Sequence, residues 1–132
     1  MSFKVEIVTP KGLFESVDVD SLTLKLTSGY RTILAGHTPL IGTLDYAPMH
    51  VSVSGKTKYY ALHGGAINVK KDGVVIIANA IERSRDIDIA RAKAAKARAE
   101  KRLQEKDPNI DMKRAELALK RAIARLEASN NH

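Results

Sequence analysis

The sequence reads as two unlike parts: an all-β sandwich or barrel over residues 1–84, then an antiparallel two-helix hairpin over residues 85–132. Three observations lead there. Apolar residues in the first eighty positions recur with a period of two and are interrupted by turn dipeptides. From Ile87 to Glu105 there is neither Gly nor Pro, and alanine with basic residues dominates, the composition of a strong helix. After the break Lys106-Asp107-Pro108-Asn109, apolar residues return at alternating steps of three and four.

Taken in order, Phe3, Val5 and Ile7 alternate with Lys4 and Glu6 as in a half-buried strand, and Thr9-Pro10-Lys11-Gly12 supplies the turn after it. Val17, Val19, Leu22, Leu24 and Leu26 continue the alternation against Asp18, Asp20, Thr23 and Lys25. Val51 to Tyr60 is expected to form a hairpin around Ser54-Gly55, and Ile67 to Ala78 another around Asp72-Gly73. Short strands so closely spaced favour a sandwich or barrel, because a parallel sheet would need crossover helices. In the tail, Asp86 or Asp88 is placed to cap the first helix, whose apolar positions are mostly Ala90, Ala94, Ala97 and Leu103. The second helix starts near Ile110 or Asp111 and runs to about Ala128. Its seam is Met112, Ala115, Leu119, Ala122 and Leu126, with Ile123 beside it. A short link makes the two helices antiparallel. A buried methyl is worth only about 0.8 kcal/mol, against roughly 1.5–3 for Leu or Ile, so the hairpin is thinly held and suited to opening.

The 132 residues suit one domain, or a small domain with an appendage. No apolar run approaches the roughly 18 residues of a spanning helix. Met1 to Pro10 has no apolar core of a signal peptide. The absence of cysteine excludes disulfide and thiolate chemistry and fits a reducing compartment. The net charge of +7 is uneven: residues 1–81 carry +2 and residues 82–132 carry +5. An acidic partner is expected for the tail, whether nucleotide, nucleic acid or protein. All six aromatic residues lie in the first half, so the tail lacks the stacking platforms that single-stranded nucleic acid needs.

Catalytic signatures are missing from the first half. His37, His50 and His63 have no partners at metal-ligand spacing and read as turn or surface residues. Gly64-Gly65 precedes no helix and no Lys-Ser/Thr pair, which makes it a bulge or a close backbone approach rather than a phosphate loop. The chemistry concentrates in the tail. Arg91 and Arg98 are seven apart, nearly two helical turns, and share a face; Arg121 and Arg125, four apart, share another. If the helices fold back on each other, four guanidiniums converge with few acids nearby and ask for an anion.

Over nearly its whole length the chain resembles the epsilon subunit of bacterial F-type ATP synthases. The resemblance rests on V-T-P near the start, I-L-A-G-H-T-P-L from Ile33 to Leu40, Gly64-Gly65, V-V-I-I-A-N-A from Val74 to Ala80, and A-R-A-K-A-A-K-A-R-A-E-K-R-L with R-A-E-L-A-L-K-R-A in the tail. It implies a β-sandwich followed by a helical hairpin, and a non-catalytic place in the central stalk on the cytoplasmic side of the bacterial membrane. The sandwich would dock on the gamma subunit and touch the c-subunit ring. The hairpin would switch between a compact state and an extended one that reaches the catalytic alpha and beta subunits and inhibits ATP hydrolysis.

Some members bind ATP on the compact hairpin through an I/L-D-x-x-R-A motif, here Ile87-Asp88-Ile89-Ala90-Arg91-Ala92. By that resemblance Glu82 and Asp88 hydrogen-bond the adenine side and Ile87 and Ala92 lie near the base. Arg91, Arg98, Arg121 and Arg125 hold the ribose-phosphate end. Arginine forks suit phosphate, and a ligand that binds only the compact form would close a weak hairpin. The motif has no general base or metal site, so binding without hydrolysis is expected, with no cofactor required. The chain departs from the family at Gly29-Tyr30-Arg31-Thr32 and Ala35, where members commonly have G-E-L-G and Pro, which leaves the c-ring contact of that loop open. Two other readings fit the same charges: a structural coupling subunit whose tail meets only the catalytic subunits, and a basic hairpin that binds duplex nucleic acid.

Overall fold

The computed structural model describes residues 1–105 and 107–130. Lys106, placed by the sequence in the break between the helices, lies outside the described residues, as do Asn131 and His132 at the end of the second part. Eight strands come first: β1 (Phe3–Thr9), β2 (Gly12–Val19), β3 (Ser21–Leu26), β4 (Gly29–Leu34), β5 (Leu40–Val53), β6 (Lys56–Lys70), β7 (Gly73–Ala78) and β8 (Ile81–Arg83). They form one sheet in the order β2-β1-β7-β6-β5-β3-β4, with β8 on β6. The β1–β7 pair is parallel and the others are antiparallel.

The sheet folds over on itself as a sandwich. Val5, Ile7 and Val19 from one end of the strand order share a single core with Leu22, Leu24 and Ile33 from the other. The long strands β5 and β6 make this possible by turning over midway. In β6 the core positions shift from Tyr60 and Leu62 to Ile67 and Val69, and in β5 from Met49 and Val51 to Leu44, a change of parity in both. Gly64 and Gly65 sit at the crossover with φ of 76° and 136°. A Cβ on Gly65 would lie 2.0 Å from the Ile77 carbonyl oxygen. The sequence expectation of a close backbone approach there is met, and only glycine allows it.

The Ser54-Gly55 hairpin forms as expected, with both residues at positive φ. The β6–β7 turn does not fall on Asp72-Gly73. Lys70 pairs with Gly73, so Lys71 and Asp72 make the turn, while Gly73 begins β7 beside the Lys4 carbonyl oxygen. Gly29 to Thr32, taken from sequence as part of a loop, is strand β4, tied to β3 by the Thr23–Thr32 hydroxyl bond.

A 3-10 turn (Ser84–Asp86) leads into α1 (Ile89–Glu105) and then α2 (Met112–Ser129). Asp88, not Asp86, caps α1, accepting from the Arg91 N–H at 3.0 Å. Asp111 caps α2 through the Arg114 N–H. The helices pack on each other, and α2 also lies on β5 and β6. That second contact explains why Ala124, Ala128 and Ser129 are buried outside the expected α2 seam. On α1 the expected face is wrong. Ala90, Ala94 and Ala97 are exposed, whereas Ala92 and Ala99 are buried with Ala95 and Leu103 half-buried. Alanines occur on several faces of this helix, so their spacing alone does not select the one that packs.

Candidate functional site

Where β8 passes into the hairpin, a cleft of about 470 Å³ opens between the sandwich edge and the helices. Glu82, Asp86, Asp88, Arg91, Arg98 and Arg125 bring its charges, with Ala92 and Ala95 also in the wall. β8 supplies Glu82, the 3-10 turn Asp86, the start of α1 Asp88 and Arg91, and α2 Arg125. Asp88 and Arg98 are ten residues apart, about 15 Å along a helix axis. The cleft thus runs from carboxylates at the helix entrance to a guanidinium nearly three turns along. It suits an elongated ligand with hydrogen-bond donors at one end and negative charge at the other.

Of the eight residues that the resemblance nominated, Glu82, Asp88, Arg91, Ala92, Arg98 and Arg125 meet in this cleft. Two do not. Ile87 is half-buried just before α1, its N–H donated to the Ser84 carbonyl, and Arg121 is exposed one turn before Arg125, outside the cleft wall. The expectation of four guanidiniums with few acids nearby is also corrected. Three carboxylates face three guanidiniums, because the chain enters α1 through Asp86 and Asp88 and β8 adds Glu82.

Glu82 is the best-connected side chain of the site. Its Oε1 accepts from Arg125 Nε at 2.7 Å and from His63 Nε2 at 3.1 Å. The His63 bond holds the Glu82 carboxyl below its ordinary pKa, the Arg125 hydrogen bond and charge add to that, and burial opposes it. An ionised carboxylate only accepts, so His63 Nε2 is the donor of this bond. His63 is 1% exposed, and its Nδ1 is buried with no hydrogen-bond partner among the described residues. It is therefore neither a turn nor a surface histidine, as the sequence suggested. Glu82 lies opposite Ala61 on β6, which places it diagonal to His63 on the sheet face beneath α2. His63 and Glu82 are nineteen residues apart, and only the strand register could have paired them. Asp86 and Ala95 were likewise not anticipated as part of the wall.

A second hollow, of about 340 Å³, lies near Glu15, Tyr60 and Arg83. Its polar groups already bind one another: the Tyr60 hydroxyl and the Arg83 guanidinium both donate to Glu15, and Arg83 lies over the Phe14 ring. The Tyr60 phenol is pushed up, first by burial and then by its bond to Glu15.

Two family models match the chain: the beta-sandwich domain of the ATP synthase delta/epsilon chain over residues 2–84, and its long alpha-helix domain over residues 85–130. The chain belongs to the ATP synthase delta/epsilon family. Relatives from this family include the ATP synthase epsilon chain of Bacillus cytotoxicus, 45% identical over 129 residues, covering 98% of this chain and 97% of that one. The epsilon chain of Bacillus licheniformis is 44% identical over 128 residues, covering 97% and 98%. A chain in the cryo-EM structure of the Euglena gracilis mitochondrial ATP synthase (OSCP/F1/c-ring) superposes with a TM-score of 0.86 at 22% identity, over 98% of this chain and 82% of that one. At that identity the likeness shows a shared fold. Among the described residues no helix is long and apolar enough to cross a membrane.

Proposed function

We propose that this chain is a central-stalk subunit of a bacterial F-type ATP synthase whose C-terminal hairpin senses ATP. In this reading the sandwich docks on the gamma subunit at the c-subunit ring, on the cytoplasmic side of the membrane. The compact hairpin holds ATP in the cleft between β8 and the helices, as a regulatory ligand rather than a substrate. When ATP falls, the hairpin opens, reaches the alpha and beta subunits and restrains hydrolysis.

The observation that carries the reading is the meeting of Glu82, Asp88, Arg91, Ala92, Arg98 and Arg125, from three elements, in one cleft. Those walls come together only while the hairpin is folded down. A ligand that needs all of them stabilises that state by RT ln(1 + [L]/Kd), about 2.7 kcal/mol at a hundredfold excess over Kd. One observation favours a second reading, a structural coupling subunit with an inert tail: Arg125 is paired with Glu82 within the chain itself.

Calorimetric titration of the full chain with ATP, run beside spin-label distances between α1 and β6, separates the two. Expected are saturable heat and a shortened distance distribution on binding. Arg98→Ala should weaken binding about tenfold or more, the effect of losing a charge-assisted hydrogen bond, and leave sandwich stability unchanged. No heat at millimolar ATP would leave the coupling role alone. A weak effect of Arg121→Ala would agree with its place outside the cleft wall.

A further inference from the structure

We infer that His63 is a positioning residue for ligand selection in this cleft: it fixes the Glu82 carboxylate so that the site prefers a 6-amino purine to a 6-oxo purine. The inference rests on reading the cleft as a nucleotide site.

The argument starts from the division of labour on Glu82. Both protein bonds to its carboxylate fall on Oε1, from His63 Nε2 and from Arg125 Nε. Among the described residues no hydrogen bond reaches Oε2, and Glu82 lines the cleft. An ionised carboxylate oxygen offered there accepts an N–H and repels a carbonyl oxygen. The exocyclic amino group of adenine presents the first, and the O6 of guanine the second. Discrimination of this kind depends on the carboxylate staying where it is. A glutamate has three rotatable side-chain bonds, and Arg125 is an unreliable anchor because it leaves whenever α2 lifts.

His63 supplies the other anchor. It sits within β6 and so belongs to the sandwich rather than to the hairpin. Glu82 therefore remains held in its ligand-accepting pose before the clasp closes. The unpartnered Nδ1 is informative as well. A buried polar atom left without a partner costs stability, and an apolar residue at position 63 would avoid that cost while packing against Tyr46. Stability alone does not account for an imidazole here; its Nε2–H bond to Glu82 does.

The test uses the full chain, titrated calorimetrically with ATP and with GTP. His63→Met removes the donor, His63→Gln retains one, Glu82→Ala removes the acceptor, and a double His63→Met/Glu82→Ala variant closes the cycle. Expected is an ATP affinity about tenfold lower in His63→Met, with GTP affinity unchanged, so that the preference for ATP collapses. His63→Gln should recover most of it. In the Glu82→Ala background His63→Met should change ATP affinity by less than about twofold, because the two residues act as one unit. His63→Val, suited to a strand, carries the same expectation should Met not be accommodated. Equal losses for ATP and GTP, or additive losses in the double variant, would overturn the assignment in favour of a packing role. If the wild-type chain binds ATP and His63→Met matches it, only this inference falls. If the wild-type chain binds neither nucleotide, the ATP-sensing reading falls with it.

Discussion

Glu82 ties three elements together through one oxygen: β8, on which it sits, β6 through His63 and α2 through Arg125. The consequence is a pH dependence with a definite sign. The Glu82 carboxyl is held below its ordinary pKa, first by the His63 bond and then by Arg125, and opening the hairpin removes the Arg125 share. Arg125 therefore favours ionised Glu82 in the compact state, against the burial that opposes it. Its contribution is complete above the usual glutamate value, about 4.3, and is lost as pH falls through the lowered folded value. Amide protection across α2, taken relative to the intrinsic exchange rate at each pH, should accordingly fall as the solution is acidified below that range. Glu82→Gln should remove this Glu82 contribution. An unchanged slope in that variant would place the responsible group elsewhere. His63 shows how little of such a cluster a linear sequence announces. Glu82 and Arg125 were nominated through a motif resemblance, but a lone histidine in a strand carries no signal until register sets it diagonal to a carboxylate.

Among the elements, strands were legible where alternation was clean and helices where composition was extreme. Leu22, Leu24 and Leu26 alternate with Thr23 and Lys25, and all three leucines are core residues of β3. The turnover of β5 and β6 was not legible, because a parity change depends on two strands bending together at Gly64-Gly65. The packing face of α1 was misread for a different reason: alanine does not distinguish a buried position from a helix-favouring exposed one. The observed face can be checked by adding bulk. Ala99 is buried against α2 and Ala97 is exposed. Ala99→Leu should cost the compact hairpin about 1–3 kcal/mol through overpacking and shift it toward the open state, whereas Ala97→Leu should be nearly silent. Inter-helix distances measured in both variants decide it. A stronger effect at Ala97 would restore the face that spacing suggested.

At the scale of the whole molecule, the two parts are held by different physics. Among the described residues the sandwich core is one cluster, mostly large aliphatic residues with Tyr60, drawn from β1 to β8, and no helix contributes a side chain to it. The hairpin rests on that body through small groups, with Ala124 and Ala128 of α2 buried, and is latched by the Glu82–Arg125 pair. A Leu or Ile inside the sandwich is worth roughly 1.5–3 kcal/mol of burial, while an alanine methyl under the helix is worth about 0.8. The proposed ATP-sensing role requires this imbalance, since the sandwich must survive the departure of the hairpin. The fragment of residues 1–84 is therefore expected to fold by itself and to unfold in one cooperative calorimetric transition. Its midpoint should lie only a few degrees below that of the intact chain, because α2 packs on β5 and β6, where Ala61 and His63 are buried outside the core cluster. In the intact chain, amides of α1 should exchange well before those of β6. A fragment without a cooperative transition would mean that α2 is a structural third layer. The hairpin could not then leave without unfolding its own support.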